Sequence, residues 1–172
     1  MVALWALAAF AILLIAKYWR VMKKILFVCH GNICRSPMAE FVMKHLCKNA
    51  GLDDVLIASR ATHTDELGSS PHNGTITTLM HHNIKLCEHK ATLLERSDYD
   101  KYELILCMDR ANLHNCELIF GKRADFSSKV RLLLSICGEN KEVADPYYTL
   151  DFERTYSDIM RACEALLAQI RG

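Results

Sequence analysis

The sequence predicts an α/β fold: a single doubly wound domain with a four-stranded parallel sheet and helices on both faces. Three observations point to it. Short apolar runs at 24–28, 55–59, 103–108 and 130–136 alternate with stretches of helical periodicity. The runs are almost continuously apolar, as strands covered on both faces are. The segments between them are too long for hairpins, and parallel strands require such crossovers.

The elements follow in order. Lys24 and the run Ile25-Leu26-Phe27-Val28 form the first strand. A helix spans 37–49, with Ser36 as cap and Pro37 at the first helical position, where its missing N–H costs nothing. Phe41, Val42, His45 and Leu46 recur on one face, and Gly51 ends the helix. Residues 55–59 form the second strand. A loop at 60–71 carries Gly68, Ser69, Ser70 and Pro71. Helices are expected over 72–82 and, more briefly, over 91–97. The third strand covers 103–108, a helix 110–119, and the fourth strand opens the run 130–136. The clearest helix is 151–170, where Phe152, Tyr156, Ile159, Met160, Cys163, Leu166, Leu167 and Ile170 mark one face.

The 172 residues are 51% apolar and 24% charged, which suits one globular domain. A formal net charge of +1 argues against a nucleic-acid partner. Eight cysteines are scattered, mostly on apolar faces. This reads as free thiols in a reducing compartment and places the catalytic part in the cytoplasm.

Residues 1–21 stand apart from a catalytic domain at 22–172. Positions 2–16 carry no polar side chain and are followed by Lys17, Tyr18, Trp19 and Arg20. As a helix the run is about 22 Å long, against a bilayer core of about 30 Å. Two readings stand side by side: a short membrane anchor with its basic side cytoplasmic, or a start at Met22 with residues 1–21 read in from upstream.

Residues 29–36, Cys-His-Gly-Asn-Ile-Cys-Arg-Ser, carry the chemistry. A cysteine, five residues and an arginine at a strand-to-helix turn form an anion trap. Successive backbone N–H groups curl into a nest, and the helix N-terminus adds positive potential. Arg35 grips two oxygens in a fork. The same field favours a thiolate at Cys29. The spacing of Cys29 and Cys34 does not suit zinc, and no metal is expected. The two cysteines flank one tight loop, so Cys34 could capture oxidised Cys29 as a disulfide; a small residue filling the loop's underside is the equal alternative.

Val28-Cys29-His30-Gly31-Asn32-Ile33-Cys34-Arg35-Ser36-Pro37 closely resembles the phosphate loop of low-molecular-weight protein tyrosine phosphatases. Ile105-Leu106-Cys107-Met108-Asp109 is similar to that family's third-strand signature, and Asp145-Pro146-Tyr147-Tyr148 to its general-acid loop. The resemblance spans roughly 22–170. It implies Cys29 as nucleophile, Arg35 as phosphate ligand and Asp145 as general acid. Substrate would be bound by His30, Gly31, Asn32, Ile33, Cys34 and Ser36, with Tyr147 and Tyr148 as an aromatic wall. Ser59 and His89 would tether Asn32. It implies hydrolysis of phosphotyrosine in protein substrates through a phosphocysteine, by a monomer without a cofactor. Two positions depart from the family pattern: Asp65 stands where relatives often carry an aromatic wall, and Thr92 where many carry arginine. A thiol-linked arsenate reductase, using Cys107 and Cys116, and a non-catalytic phosphate-binding protein are the alternatives.

The two N-terminal readings are separated by the intact mass of the endogenous protein. A full-length mass in a membrane pellet supports the anchor; a mass beginning at Met22 supports the later start.

Overall fold

A computed structural model describes residues 24–172; the expectations for 1–21 lie outside the described residues. The sheet has four parallel strands: β1 (Lys24–Cys29), β2 (Leu56–Ala61), β3 (Leu104–Cys107) and β4 (Val130–Leu132), in the order β2-β1-β3-β4. The helices are α1 (Arg35–Asn49), α2 (Asn73–His81), α3 (Asp98–Lys101), α4 (Arg110–Phe120), α5 (Phe126–Lys129), α6 (Pro146–Thr149) and α7 (Phe152–Arg171).

β1 is apolar from Ile25 onward because that part is covered on both sides. Strand alternation sends Ile25, Phe27 and Cys29 into one core, shared with Met38, Phe41 and Val42 of α1 and Ile159, Cys163 and Leu166 of α7. Leu26 and Val28 enter the other, with Tyr99, Tyr102, Cys116 and Phe120. The α7 stripe lies as its periodicity requires: Tyr156, Ile159, Cys163, Leu166 and Ile170 are buried, with Phe152, Met160 and Leu167 packed beside them. Asp151 caps this helix by accepting from the Arg154 N–H at 2.9 Å.

The chain leaves β1 for β2 on one side and then crosses to β3 on the other. The carboxyl end of β1 is therefore the switch point, where such sheets open a crevice. The loop carrying Cys29 to Arg35 begins there. Among the described residues, no helix is long and apolar enough to cross a membrane.

Three local expectations are corrected. Residues 91–97 are not helical. Ala61 donates its N–H to Thr92 O (2.8 Å) and accepts from Leu94 N–H (2.8 Å), so the segment runs extended beside the end of β2. An edge strand with unpaired backbone groups outcompetes a helix of under two turns. The run 130–136 is strand only as far as Leu132, where pairing with the four-residue β3 ends; Leu133–Cys137 is a 3-10 helix. Its apolar character reflects burial of Leu133, Leu134 and Ile136 in the first core rather than a longer strand. Finally, Ser36 is not the cap of α1. The helix begins at Arg35 and no side chain caps it, because the Ser36 hydroxyl is turned to Cys29 instead.

Candidate active site

The loop between β1 and α1 is shaped by where its carbonyls go. Five carbonyls between Cys29 and Cys34 have donors from outside the curl. Thr62 N–H reaches Cys29 O and His30 O, both at 3.0 Å, and His63 N–H reaches His30 O at 3.1 Å. His89 Nε2 donates to Asn32 O at 3.0 Å. His72 N–H donates to Ile33 O at 2.8 Å, and Thr75 Oγ1 to Cys34 O at 3.4 Å. A planar peptide whose C=O is tied outward turns its N–H the other way. The result is a concave run of amides around Cys29 Sγ, and the Asn32 N–H lies 3.3 Å from that sulfur.

Asn32 is the hub. Its φ of 57° is in the left-handed region, which asparagine tolerates better than most residues. The side chain is fully buried and has no hydrogen-bonding group to spare. Nδ2 donates to Ser36 Oγ (2.9 Å) and Ser59 Oγ (2.8 Å), and Oδ1 accepts from the Thr92 N–H (3.0 Å). Because Ser36 Oγ accepts from Asn32, its own proton is directed at Cys29 Sγ, 3.0 Å away.

Beneath this hub lies Glu40, on the buried side of α1. Its Oε2 accepts from Ser59 Oγ at 2.5 Å, its Oε1 pairs with Lys44 at 2.5 Å, and His89 Nδ1 is 3.6 Å from Oε2. Burial pushes its carboxyl up, but the hydrogen bonds from His89, Lys44 and Ser59 outweigh this and hold it at about 2. Gly31 is small for a separate reason: a Cβ there would sit 3.1 Å from the Glu66 Cγ, so Glu66 lies against the loop.

Arg35 is 4% exposed and spans two carboxylates. Nη1 is 2.7 Å from Asp109 Oδ2 and Nη2 is 2.6 Å from Asp145 Oδ2. Asp109 also caps α4, accepting from the Asn112 N–H at 2.7 Å. Asp145 opens α6, accepting from the Tyr147 N–H at 3.1 Å. Cys29, Arg35, Asp145, Tyr147 and Tyr148 all line one cavity of about 540 Å³. Both tyrosines are largely exposed and meet edge to face.

The structure thus brings Cys29, His30, Gly31, Ile33, Cys34, Arg35, Asp145, Tyr147 and Tyr148 to the cavity, with Asn32, Ser36, Ser59 and His89 directly behind it. Burial, then the neighbouring Cys29 and Asp145, push the Cys34 thiol up to about 12, so it is protonated at neutral pH. Cys107 and Cys116 lie outside the cavity, buried in the second core with sulfurs 3.6 Å apart. Sequence reasoning gave no role to Asp109, Glu40, Thr62, His72 or Thr75. An Asp directly before the helix at 110 was a legible capping signal. A carboxylate inside the first turns of a buried helix, four residues before Lys44, was a legible sign of a paired buried charge. The backbone donors had no signal in side-chain type.

A family profile described as low molecular weight phosphotyrosine protein phosphatase matches residues 24–172. The chain belongs to this family. The low-molecular-weight protein-tyrosine-phosphatase PtpA of Staphylococcus aureus is 36% identical over 150 residues, covering 87% of this chain and 94% of the relative. The crystal structure of YfkJ from Bacillus subtilis is similar with a TM-score of 0.82 at 33% identity, covering 87% of this chain and 95% of that one. SP-PTP, the low-molecular-weight protein tyrosine phosphatase of Streptococcus pyogenes, gives 0.74 at 36% identity, covering 86% and 92%. Low-molecular-weight phosphatases are cysteine-dependent enzymes, and Cys29 is among the residues lining the cavity of this member. Its two departures from the family pattern sit differently in space. Thr92 contributes only its backbone N–H to Asn32, so the side-chain type there does not affect that bond. Asp65 is exposed at the cavity and pairs with His30 Nε2 at 3.0 Å.

Glu40 gives the hub a pH dependence. Its folded carboxyl titrates at about 2, below its ordinary value of 4.5. The stabilisation, on the order of 3 kcal/mol, is complete above the ordinary value and is lost as pH falls from there through about 2. Urea unfolding at stepped pH should show wild-type stability falling across that window, and Glu40→Gln should flatten the slope. An equal slope in both proteins would remove Glu40 from this role.

Proposed function

We propose that the protein hydrolyses phosphotyrosine in protein substrates through a phosphocysteine, with Cys29 as nucleophile, Arg35 as ligand of the transferring phosphoryl group and Asp145 as general acid. The observation that carries this is the cavity itself. The sulfur sits within a curl of inward amides, and a buried guanidinium and a carboxyl stand on the wall above it.

The reaction runs in two steps. The Cys29 thiolate attacks phosphorus in line; the S–P bond forms as the bond to the ester oxygen breaks. Loop amides from residues 30 to 35 and the Arg35 guanidinium take up charge on the three equatorial oxygens. Arg35 Nη2 is bound to Asp145. A phosphoryl oxygen takes over that N–H, while Asp109 keeps hold of Nη1 and fixes the plane of the fork. Asp145, carrying a proton into this step, gives it to the departing phenolate. As a carboxylate it then accepts a proton from the water that attacks phosphorus, and the S–P bond breaks to return Cys29 as thiolate. Ser36 donates to the sulfur as nucleophile and again as leaving group. Tyr147 and Tyr148 supply apolar faces for the substrate ring.

The catalytic domain in this reading is 22–172. Its unpaired cysteines support a cytoplasmic setting. Nucleophile, arginine and acid line one cavity of a single chain, which is compatible with action as a monomer.

Turnover of para-nitrophenyl phosphate tests the roles. Cys29→Ser should abolish it. Asp145→Asn should lower kcat by about 10²–10⁴-fold with competitive inhibition by inorganic phosphate retained. Wild-type rates in either variant contradict the assignment.

A further inference from the structure

The cavity that receives a phosphate dianion is lined by four carboxylates, Asp65, Glu66, Asp109 and Asp145, and by one guanidinium, Arg35. Two of the carboxylates are spent on Arg35. Asp65 and Glu66 have no part in the reaction derived above. They stand together on the side of the loop formed by Gly31, where Glu66 packs, and His30, which pairs with Asp65. The exposed rings of Tyr147 and Tyr148 line the same cavity.

Such a mouth is awkward for a dianion alone, because its surplus charge is negative. It suits a dianion that carries cations beside it. Carboxylates attract an ammonium or guanidinium through space, and tyrosine faces attract the same groups through their quadrupole.

We propose that Asp65 and Glu66 make this enzyme select phosphotyrosines flanked by lysine or arginine. This rests on the phosphatase reading above and adds to it the sequence context of the substrate. The charges facing Asp65 are His30, bonded to it, and His63, whose ring stacks on His30 with centroids 3.8 Å apart.

Two phosphotyrosine peptides of equal length test it, one flanked on both sides by lysine and the other by glutamate. The reading is the ratio of their kcat/KM values, which is internal to each variant. Each exposed charge pair is worth a few-fold at low salt. The wild type should therefore favour the lysine peptide by roughly 10-fold, and the ratio should shrink at high ionic strength. Asp65→Asn with Glu66→Gln should bring the ratio to within about 2-fold of unity, and Asp65→Lys with Glu66→Lys should invert it. A wild-type ratio near or below one overturns the proposal, as does a ratio that neither double variant moves. Para-nitrophenyl phosphate, which has no flanks, separates the two levels: its turnover with an unselective peptide pair sinks the selectivity alone, whereas no turnover of any ester by the wild type sinks the phosphatase reading and the selectivity with it.

Discussion

The site depends on an outward pull on the carbonyls of residues 29–34. An amide and its carbonyl share a plane and point in opposite directions, so anchoring one aims the other. Here the anchors come from three separate stretches of chain: Thr62 and His63 after β2, His72 and Thr75 at the start of α2, and His89 with Thr92 before β3. None of these six residues lines the cavity. Together they leave the loop with its donors facing inward before substrate arrives, so little reorganisation remains for the moment of reaction. Asn32 closes the arrangement by accepting a left-handed backbone and spending every hydrogen-bonding group it has on the surroundings.

The sheet makes those anchors available. Parallel pairing sets Cys29 opposite Ala61, which delivers Thr62 to the first carbonyl of the loop. The extended segment at 92–94, lying along the end of β2, carries Thr92 N–H to Asn32. Below the loop, Glu40 ties α1 to β2 through Ser59 and to the His89 loop, so one buried carboxylate joins three elements that would otherwise meet only through apolar contact. Charge is arranged on the other side by Arg35, whose two carboxylate partners both cap helices, Asp109 the eleven-residue α4 and Asp145 the four-residue α6.

The fold and the loop were legible because both are written in side-chain type. Continuous apolar strands, the stripe on α7 and the cysteine-to-arginine spacing each follow from a local rule, and the third strand and the last helix fell where periodicity placed them. The failures share a cause. Residues 91–97 look helical by their leucines, but the free edge of β2 offered a better use of their backbone. Ser36 has the sequence signature of a cap, yet the sulfur of Cys29, seven residues earlier, took its hydroxyl. The fourth strand stopped short because its neighbour did. In each case a partner distant in sequence outweighed local preference. The carbonyl anchors were invisible for the same reason, since three of them are backbone N–H groups that any residue but proline provides.

The most direct measurement is protection of Cys29 from alkylation by iodoacetamide. Vanadate, added at rising concentration, reports whether the amide curl still holds an oxyanion over the sulfur. The account predicts that vanadate shields Cys29 in the wild type, and that Asn32→Ala, checked for intact folding by circular dichroism, loses this protection. Equal shielding in both proteins would show that the curl keeps its shape without its hub, and would contradict the account.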